Sequence, residues 1–182
     1  MLQHINIEQI LFLDIETVPA WADFNAVPEH MQHLWAKKTE FRRQEKTTPE
    51  EYYGHAGIFA EFGKIVCISV GYITVMAGEK ELRIKSFSGH DEKQILQSFS
   101  QLLETHFSRK EHVLCAHNGK EFDFPYIARR MLVNNVKLPV LLDRAGKKPW
   151  EVSLLDTMEL WKFGDHKHYT SLELLANVLG IA

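Results

Sequence analysis

Asp14 and Glu16 stand in the stretch ILFLDIETVP, residues 10–19, just after four apolar residues in a row. The apolar run Ile10–Leu13 is the pattern of a strand covered on both faces. Residues two apart on an extended chain point to the same side, so the two carboxylates share a face. Like charges beside a hydrophobic core raise the pKa of one of them or demand a cation. The chemistry to expect is that of a positive ion held by acids.

A third carboxylate comes from AHNGKEFDFPYIARR. Asn118-Gly119 is a strong turn signal after a buried strand, and Asp123 follows just before a helix that opens with Pro125. The unpaired amides and dipole of that helix N-terminus are expected to hold Asp123 ionised. If the strand HVLCAHN lies beside the first strand, Asp123 faces Asp14 and Glu16 at the C-terminal strand ends, where open α/β sheets bind ligands. Three carboxylates without a histidine or cysteine suit a hard divalent cation, Mg²⁺ or Mn²⁺.

Several elements must position these acids. After Pro19 the composition changes, and Ala20–Gly63 reads as a helical insertion. VPEHMQHLWAKKTEFRRQEK sets Met31, Leu34 and Trp35 on one helical face. TTPEEYYGHAGIFAEF starts a second helix, with Thr48 as N-cap and Glu51 three residues on. Lys64–Val75 and ELRIKSFS read as strands joined into a hairpin through MAGEK. Asp91 caps a helix whose buried stripe is Ile95, Phe99, Leu102 and Leu103. The helix after Pro125 stops at Asn134 and Asn135. Val136–Glu151 is loop, VSLLDTMELWKFG is apolar and of either type, and TSLELLANVLGIA is an amphipathic helix. The order implies a mixed α/β sheet flanked by helices.

The totals fit this picture. A chain of 182 residues, 45% hydrophobic and 25% charged, suits one soluble domain with a proper core. No apolar run is long enough to span a bilayer, and no signal segment opens the chain, so a cytoplasmic location is expected. Cys67 and Cys115 lie in apolar strand-like runs and read as reduced core thiols. A net charge of −3 rules against a purely electrostatic nucleic-acid binder, though not against a nucleic-acid enzyme with local basic patches.

FLDIETVP resembles the first motif, and HNGKEFDFPYIARR the second, of DEDD-type 3′–5′ exonucleases with an RNase H-like fold. The likeness is greatest to the predicted exonucleases related to the proofreading domain of B-family DNA polymerases. SLELLANVLGI is similar to the SL-x-x-LA-x-x-LGI segment that precedes that family's last motif. The resemblance covers nearly the whole chain apart from Ala20–Gly63 and Val136–Glu151.

It implies metal-dependent hydrolysis of phosphodiester bonds at the 3′ end of a nucleic acid, with single-stranded DNA favoured and the choice between DNA and RNA left open by the sequence. Two Mg²⁺ or Mn²⁺ ions roughly 3.5–4 Å apart would clamp the attacking and leaving oxygens. Asp14 would bridge both ions, Glu16 would hold the nucleophile-side ion and Asp123 the other. Asn118 and Phe122 would position the terminal nucleotide by hydrogen bonding and stacking, and Thr17 would offer its backbone amide to the 3′ end.

One part of the family pattern has no counterpart here. The fourth acid belongs to a Tyr-x-x-x-Asp or His-x-x-x-x-Asp motif on a C-terminal helix, whose Tyr or His orients the attacking water. His168 and Tyr169 precede Glu173 at about that distance, but Glu173 lies inside the segment that aligns before the motif and is the wrong type. Asp156 in LLDTMEL reads as structural. The fourth acid is therefore expected beyond Ala182, making residues 1–182 a single domain that lacks its C-terminal motif, binds metal weakly and cleaves poorly.

Other conspicuous residues have plainer readings. His117 is a partly exposed turn residue, and His166 and His168 are solvated loop residues without a third ligand. Lys37, Lys38, Arg42 and Arg43, like Arg129, Arg130, Lys147 and Lys148, are solvated faces. Trp21, Trp35, Trp150 and Trp161 are packing residues. Two other functions compete with the nuclease. An RNase H-like module without chemistry would only hold nucleic-acid ends or a partner. A haloacid-dehalogenase-like phosphatase would use Asp14 as nucleophile, but its second acid would be Asp, and the later acidic pair is missing.

Overall fold

The computed structural model describes residues 5–44, 46–148, 151–152, 154–165 and 168–181. Trp150 and His166 therefore lie outside the described residues. Five strands, β1 (Ile10–Pro19), β2 (Gly63–Met76), β3 (Glu79–Ser88), β4 (Val113–Ala116) and β5 (Leu154–Asp156), form one sheet in the order β3-β2-β1-β4-β5. β1 is antiparallel to β2 and β2 to β3, whereas β4 runs parallel to β1 and β5 parallel to β4. The side-by-side placement of the first strand and HVLCAHN is thus as expected. The MAGEK hairpin closes through Ala77 and Gly78, both at positive φ, with Met76 opposite Glu79. This is the backbone that a two-residue turn needs to match strand twist.

The helices are α1 (Glu29–Thr39), α2 (Glu92–His106), α3 (Asp123–Val133), α4 (Thr157–Lys162) and α5 (Leu172–Val178). Asp91 caps α2 by accepting the Gln94 amide at 3.1 Å. Ile95, Phe99 and Leu103 from α2 and Phe124, Ile127 and Met131 from α3 join Leu13, Ile15, Ile68 and Val70 in the main core. α3 ends as Asn134-Asn135 predicts: Asn135 is left-handed at φ 54°, and the amides of Asn135 and Val136 reach the carbonyls of Leu132 and Met131.

The insertion has its own small core of Val27, Trp35, Tyr53, Ala56, Phe59 and Phe62. Trp35 is wholly buried, and its indole N–H donates to the Pro49 carbonyl at 2.8 Å. The second helix expected there is a 3₁₀ segment, Glu51–Ile58, not an α-helix. Its capping box does form: the Thr48 amide donates to Glu51 at 2.7 Å and the Glu51 amide to the Thr48 hydroxyl at 3.2 Å. Gly54 and Gly57 weaken the helix beyond that first turn. Gly57 also has to pass the backbone of Thr17 and Val18, which a Cβ would meet at 3.3 Å. No helix among the described residues is long and apolar enough to cross a membrane.

One charge pair ties the helices to this frame. Arg130, which looked like part of a solvated basic face, is only 8% exposed. Its guanidinium donates to both Glu92 oxygens, at 2.8 Å through Nε, and to the Ala60 carbonyl at 2.8 Å. The Ile65 amide and the Asn134 side chain complete the carboxylate's partners. Burial pushes Glu92 upward, but these donors outweigh it and leave the carboxyl below its ordinary range. The first basic run is largely the solvated face expected, with Lys37, Lys38 and Arg42 exposed. Lys38 nonetheless pairs with Glu61, Arg42 lies over the Phe59 ring, and the partly buried Arg43 donates to the Ala36 and Thr47 carbonyls.

Candidate active site

The alternation of β1 decides where its acids point. Leu13 and Ile15 are buried, whereas Asp14 and Glu16 are exposed on the other face. Directly across on β2, Asp14 faces Ser69 and Glu16 faces Cys67. Just after Glu16 the pairing slips by one residue. Such a bulge bends a strand and re-aims the side chains next to it. Cys67, expected in the core, is only half-buried because its strand position puts it on this acid-bearing face, next to the Ser69 hydroxyl at 3.6 Å. Cys115 is buried, and burial, with the Asp156 charge, pushes its thiol up to about 11. Both cysteines are free.

The turn after β4 brings in the third acid. Phe12 on β1 pairs with Cys115 on β4, so Asp14, two residues further on, runs level with the end of β4. Asn118 adopts φ 60°, and Gly119 packs so tightly that a Cβ there would collide with the Ala116 side chain and meet the Phe124 ring at 3.1 Å. That turn delivers Asp123 as the first residue of α3, 4% exposed, with the Ile15 backbone beside its carboxylate. The expected lowering of its pKa by the helix N-terminus does not occur, although a carboxyl near 6 is still mostly ionised at neutral pH. Burial and then the Asp14 charge outweigh the backbone amides of Asp123 and Ile15, and the carboxyl is pushed up to about 6.

Asp156 completes the acids at this end of the sheet, and its role is architectural, as its surroundings in the sequence suggested. It is 2% exposed. Its Oδ1 accepts the amides of Asn118 and Met158, each at 2.9 Å, and its Oδ2 accepts the Lys120 amide at 3.1 Å. It therefore caps α4 and pins the turn that leads to Asp123. The Asp-Thr pair opening a helix was a legible cap signal. That the same carboxylate also reaches the turn after β4 follows from the parallel pairing of Ala116 with Asp156.

The remaining site residues are placed as follows. Asn118 has a buried side-chain Oδ1 with no hydrogen-bond partner. Phe122 is half-buried, with its ring centroid 5.3 Å from that of Tyr126. Thr17 sits at the bulge against the Tyr126 hydroxyl, which donates to the Gly57 carbonyl at 2.7 Å. His117 clamps the C-terminal segment, with Nε2 2.7 Å from the Thr170 carbonyl and Nδ1 2.9 Å from the Thr157 hydroxyl.

The three sequence-predicted acids meet a divalent cation's needs in donor chemistry. All are carboxylates, and the repulsion that lifts Asp123 is what a cation between it and Asp14 would relieve. In arrangement they fall short: among the described residues no group of three or more His, Cys, Asp or Glu side chains is drawn together closely enough to hold an ion. A cavity of about 820 Å³ lies away from these acids, at the other end of β1, lined by residues such as Glu8, Tyr72 and Phe107.

Residues 58–181, more than half of the chain, match the model of a family described as predicted 3′–5′ exonucleases related to the exonuclease domain of PolB. The matched span contains Asn118, Phe122 and Asp123 and begins after β1. No curated protein sequence matches the chain significantly. Among solved structures, the family B DNA polymerase of the hyperthermophilic archaeon Pyrobaculum calidifontis aligns at a TM-score of 0.53 and 15% identity, over 95% of this chain and 18% of that one. E. coli Exonuclease I in complex with a dT13 oligonucleotide aligns at a TM-score of 0.50 and 11% identity, over 95% of this chain and 36% of that one. At such identities the likeness is one of fold, the RNase H-like sheet of exonuclease domains. The chain spans well under half the length of either.

Proposed function

This chain belongs to the family of predicted 3′–5′ exonucleases related to the exonuclease domain of PolB, and from that premise we propose that it removes nucleotides from the 3′ end of single-stranded DNA with divalent metal, Mg²⁺ or Mn²⁺. The observation that carries the reading is that α3, which opens with Asp123, follows β4 through a short turn, and β4 runs parallel beside the Asp14-bearing strand β1. Asp14 stands midway along β1 rather than at its end, but level with the end of β4, and repulsion between it and the buried Asp123 favours a cation between them.

In this reading Asp14, Glu16 and Asp123 are the catalytic, metal-holding carboxylates. Two bound ions would supply Lewis-acid stabilisation of the attacking and leaving oxygens. The chain's own residues do the rest. Asp156 holds the turn that presents Asp123, and Asn118, with its buried unpartnered Oδ1, offers a polar contact to the terminal nucleotide. Phe122 stacks on the terminal base from its half-exposed position, and the Thr17 amide at the bulge meets the 3′ hydroxyl.

A second reading, nucleic-acid binding without hydrolysis, draws on the lack of a closed three-donor group among the described residues. One experiment separates the two. The chain is incubated with 5′-labelled single-stranded DNA and Mg²⁺ or Mn²⁺, with Asp14→Ala as control. Stepwise shortening from the 3′ end, lost with EDTA and in the variant, is the expected result. Binding without shortening favours the inert module and overturns the nuclease.

A further inference from the structure

Strand β3 ends the sheet, and among the described residues no strand pairs with its outer edge. Nearly all of Glu79–Ser88 is exposed, Leu82 at 62% and Ile84 at 71%. A long open edge with apolar side chains is a template for another strand.

The hairpin fixes which backbone groups that edge offers. Met76 and Glu79 flank the two-residue turn, so the odd positions of β3 exchange hydrogen bonds with β2. Beyond the strand, the Gly89 amide donating to the Val66 carbonyl at 3.2 Å keeps the same alternation. Lys80, Leu82 and Ile84 therefore turn their N–H and C=O groups outward.

The charges along the edge have a direction. On the odd-numbered face Glu79 and Glu81 occupy its first half and Arg83 and Lys85 its second, while Lys80 lies on the opposite face with Leu82 and Ile84. We infer that two copies of this chain dimerise by pairing β3 with β3, antiparallel, about Leu82. In that register Leu82 faces the second copy's Leu82, and Lys80 faces Ile84, so the outward backbone groups meet as hydrogen-bonded pairs. Glu81 faces Arg83 and Glu79 faces Lys85, in the closer pairs where side chains interact most.

Two-fold symmetry makes four attractive pairs and no like-charge pair. Neighbouring registers do worse. Centring on Arg83 sets arginine against arginine, centring on Glu81 sets glutamate against glutamate, and centring on Ile84 sets Arg83 against Lys85. Within its own strand Arg83 reaches Glu81 at 3.4 Å, but both side chains are about half exposed and remain available. The contact is one strand wide, short of the ~1,200–2,000 Å² of a standard interface, so the dimer is weak and concentration-dependent. Asp14 and Glu16 lie two strands away, so the inference stands apart from the nuclease reading.

Sedimentation of the 182-residue chain over a dilution series tests it. The wild type is expected to pass from monomer to dimer with concentration, and less readily at high salt. Glu81→Arg and Arg83→Glu each place like charges in two of the four pairs and should weaken the dimer at least about tenfold. The double variant Glu81→Arg/Arg83→Glu restores complementarity and should dimerise like the wild type. Leu82→Lys, which sets two ammonium groups at the two-fold, is a second route to the monomer. Unchanged thermal unfolding of monomeric chains confirms that folding is intact. A wild type monomeric at every concentration, single variants that dimerise as well as it does, or a folded double variant without recovery would each overturn the inference.

Discussion

The Asp156 carboxylate accepts the backbone amide of Asn118 at 2.9 Å, bridging the ends of two parallel strands, β4 and β5. This contact, with the Lys120 amide at 3.1 Å, holds the turn from which Asp123 is presented. Asp156→Ala strands several buried amides and should cost about 2–3 kcal/mol. Asp156→Asn keeps one acceptor oxygen and should lose about half as much. Urea denaturation of the two variants checks the order. Nuclease activity should fall with each in proportion, because the turn loosens without any acid of the proposed set being removed.

Asp123 lends itself to a pH test. Its folded pKa, about 6, lies above the ordinary value of 3.8, so between those values the folded state binds more protons than the unfolded one. Stability of the metal-free protein should therefore fall as pH rises from about 4 to about 6 and level off above, by up to ~3 kcal/mol. Asp123→Asn removes that slope and should stabilise the chain at pH 7 by about 2–3 kcal/mol while abolishing nuclease activity. Denaturation in EDTA at pH 5 and 7.5 reads it, and a less stable Asp123→Asn at pH 7 contradicts it.

Glu92→Gln takes the counter-charge from a guanidinium that is buried with it. The expected cost is about 3–5 kcal/mol, whereas replacing both Glu92 and Arg130 by Met should cost much less than either single change. Glu92 titrates below its ordinary range in the fold. Its contribution is present above the unfolded pKa and disappears as pH falls through the folded one. A double-mutant cycle followed by chemical denaturation measures the coupling.

Gly63→Ala tests how the insertion is seated on β1. A Cβ there would strike the Tyr126 hydroxyl and lie 2.8 Å from the Gly57 carbonyl, the two groups joined by the hydrogen bond that closes the insertion over Thr17. Overpacking of this kind costs about 1–3 kcal/mol. The Tyr126→Phe background removes the hydroxyl and should recover part of the loss, as thermal unfolding would show.

Much of the fold was legible in local pattern. The apolar run into Asp14 and Glu16, the Ala77-Gly78 turn, the Asp91 cap and the Asn134-Asn135 stop each depend on neighbours within a few residues, where spacing and backbone preference act directly. Thr48 and Glu51 formed their capping box as written, yet the segment beyond became 3₁₀. Its course is set by close passage against Thr17 and Val18, which lie some forty residues away in sequence. Arg130 looked solvated for the same reason: Glu92 is on another helix.

By itself, then, the sequence determined that Asp14 and Glu16 share one face of a strand and that Asp123 opens a helix, since both follow from the periodicity of the backbone. Only the tertiary structure decided that Asp123 is buried in the field of Asp14 and raised rather than lowered in pKa, and that Asp156 serves backbone amides. Desolvation and Coulomb interaction depend on distances between groups that the chain brings together from far apart, and no local spacing encodes them.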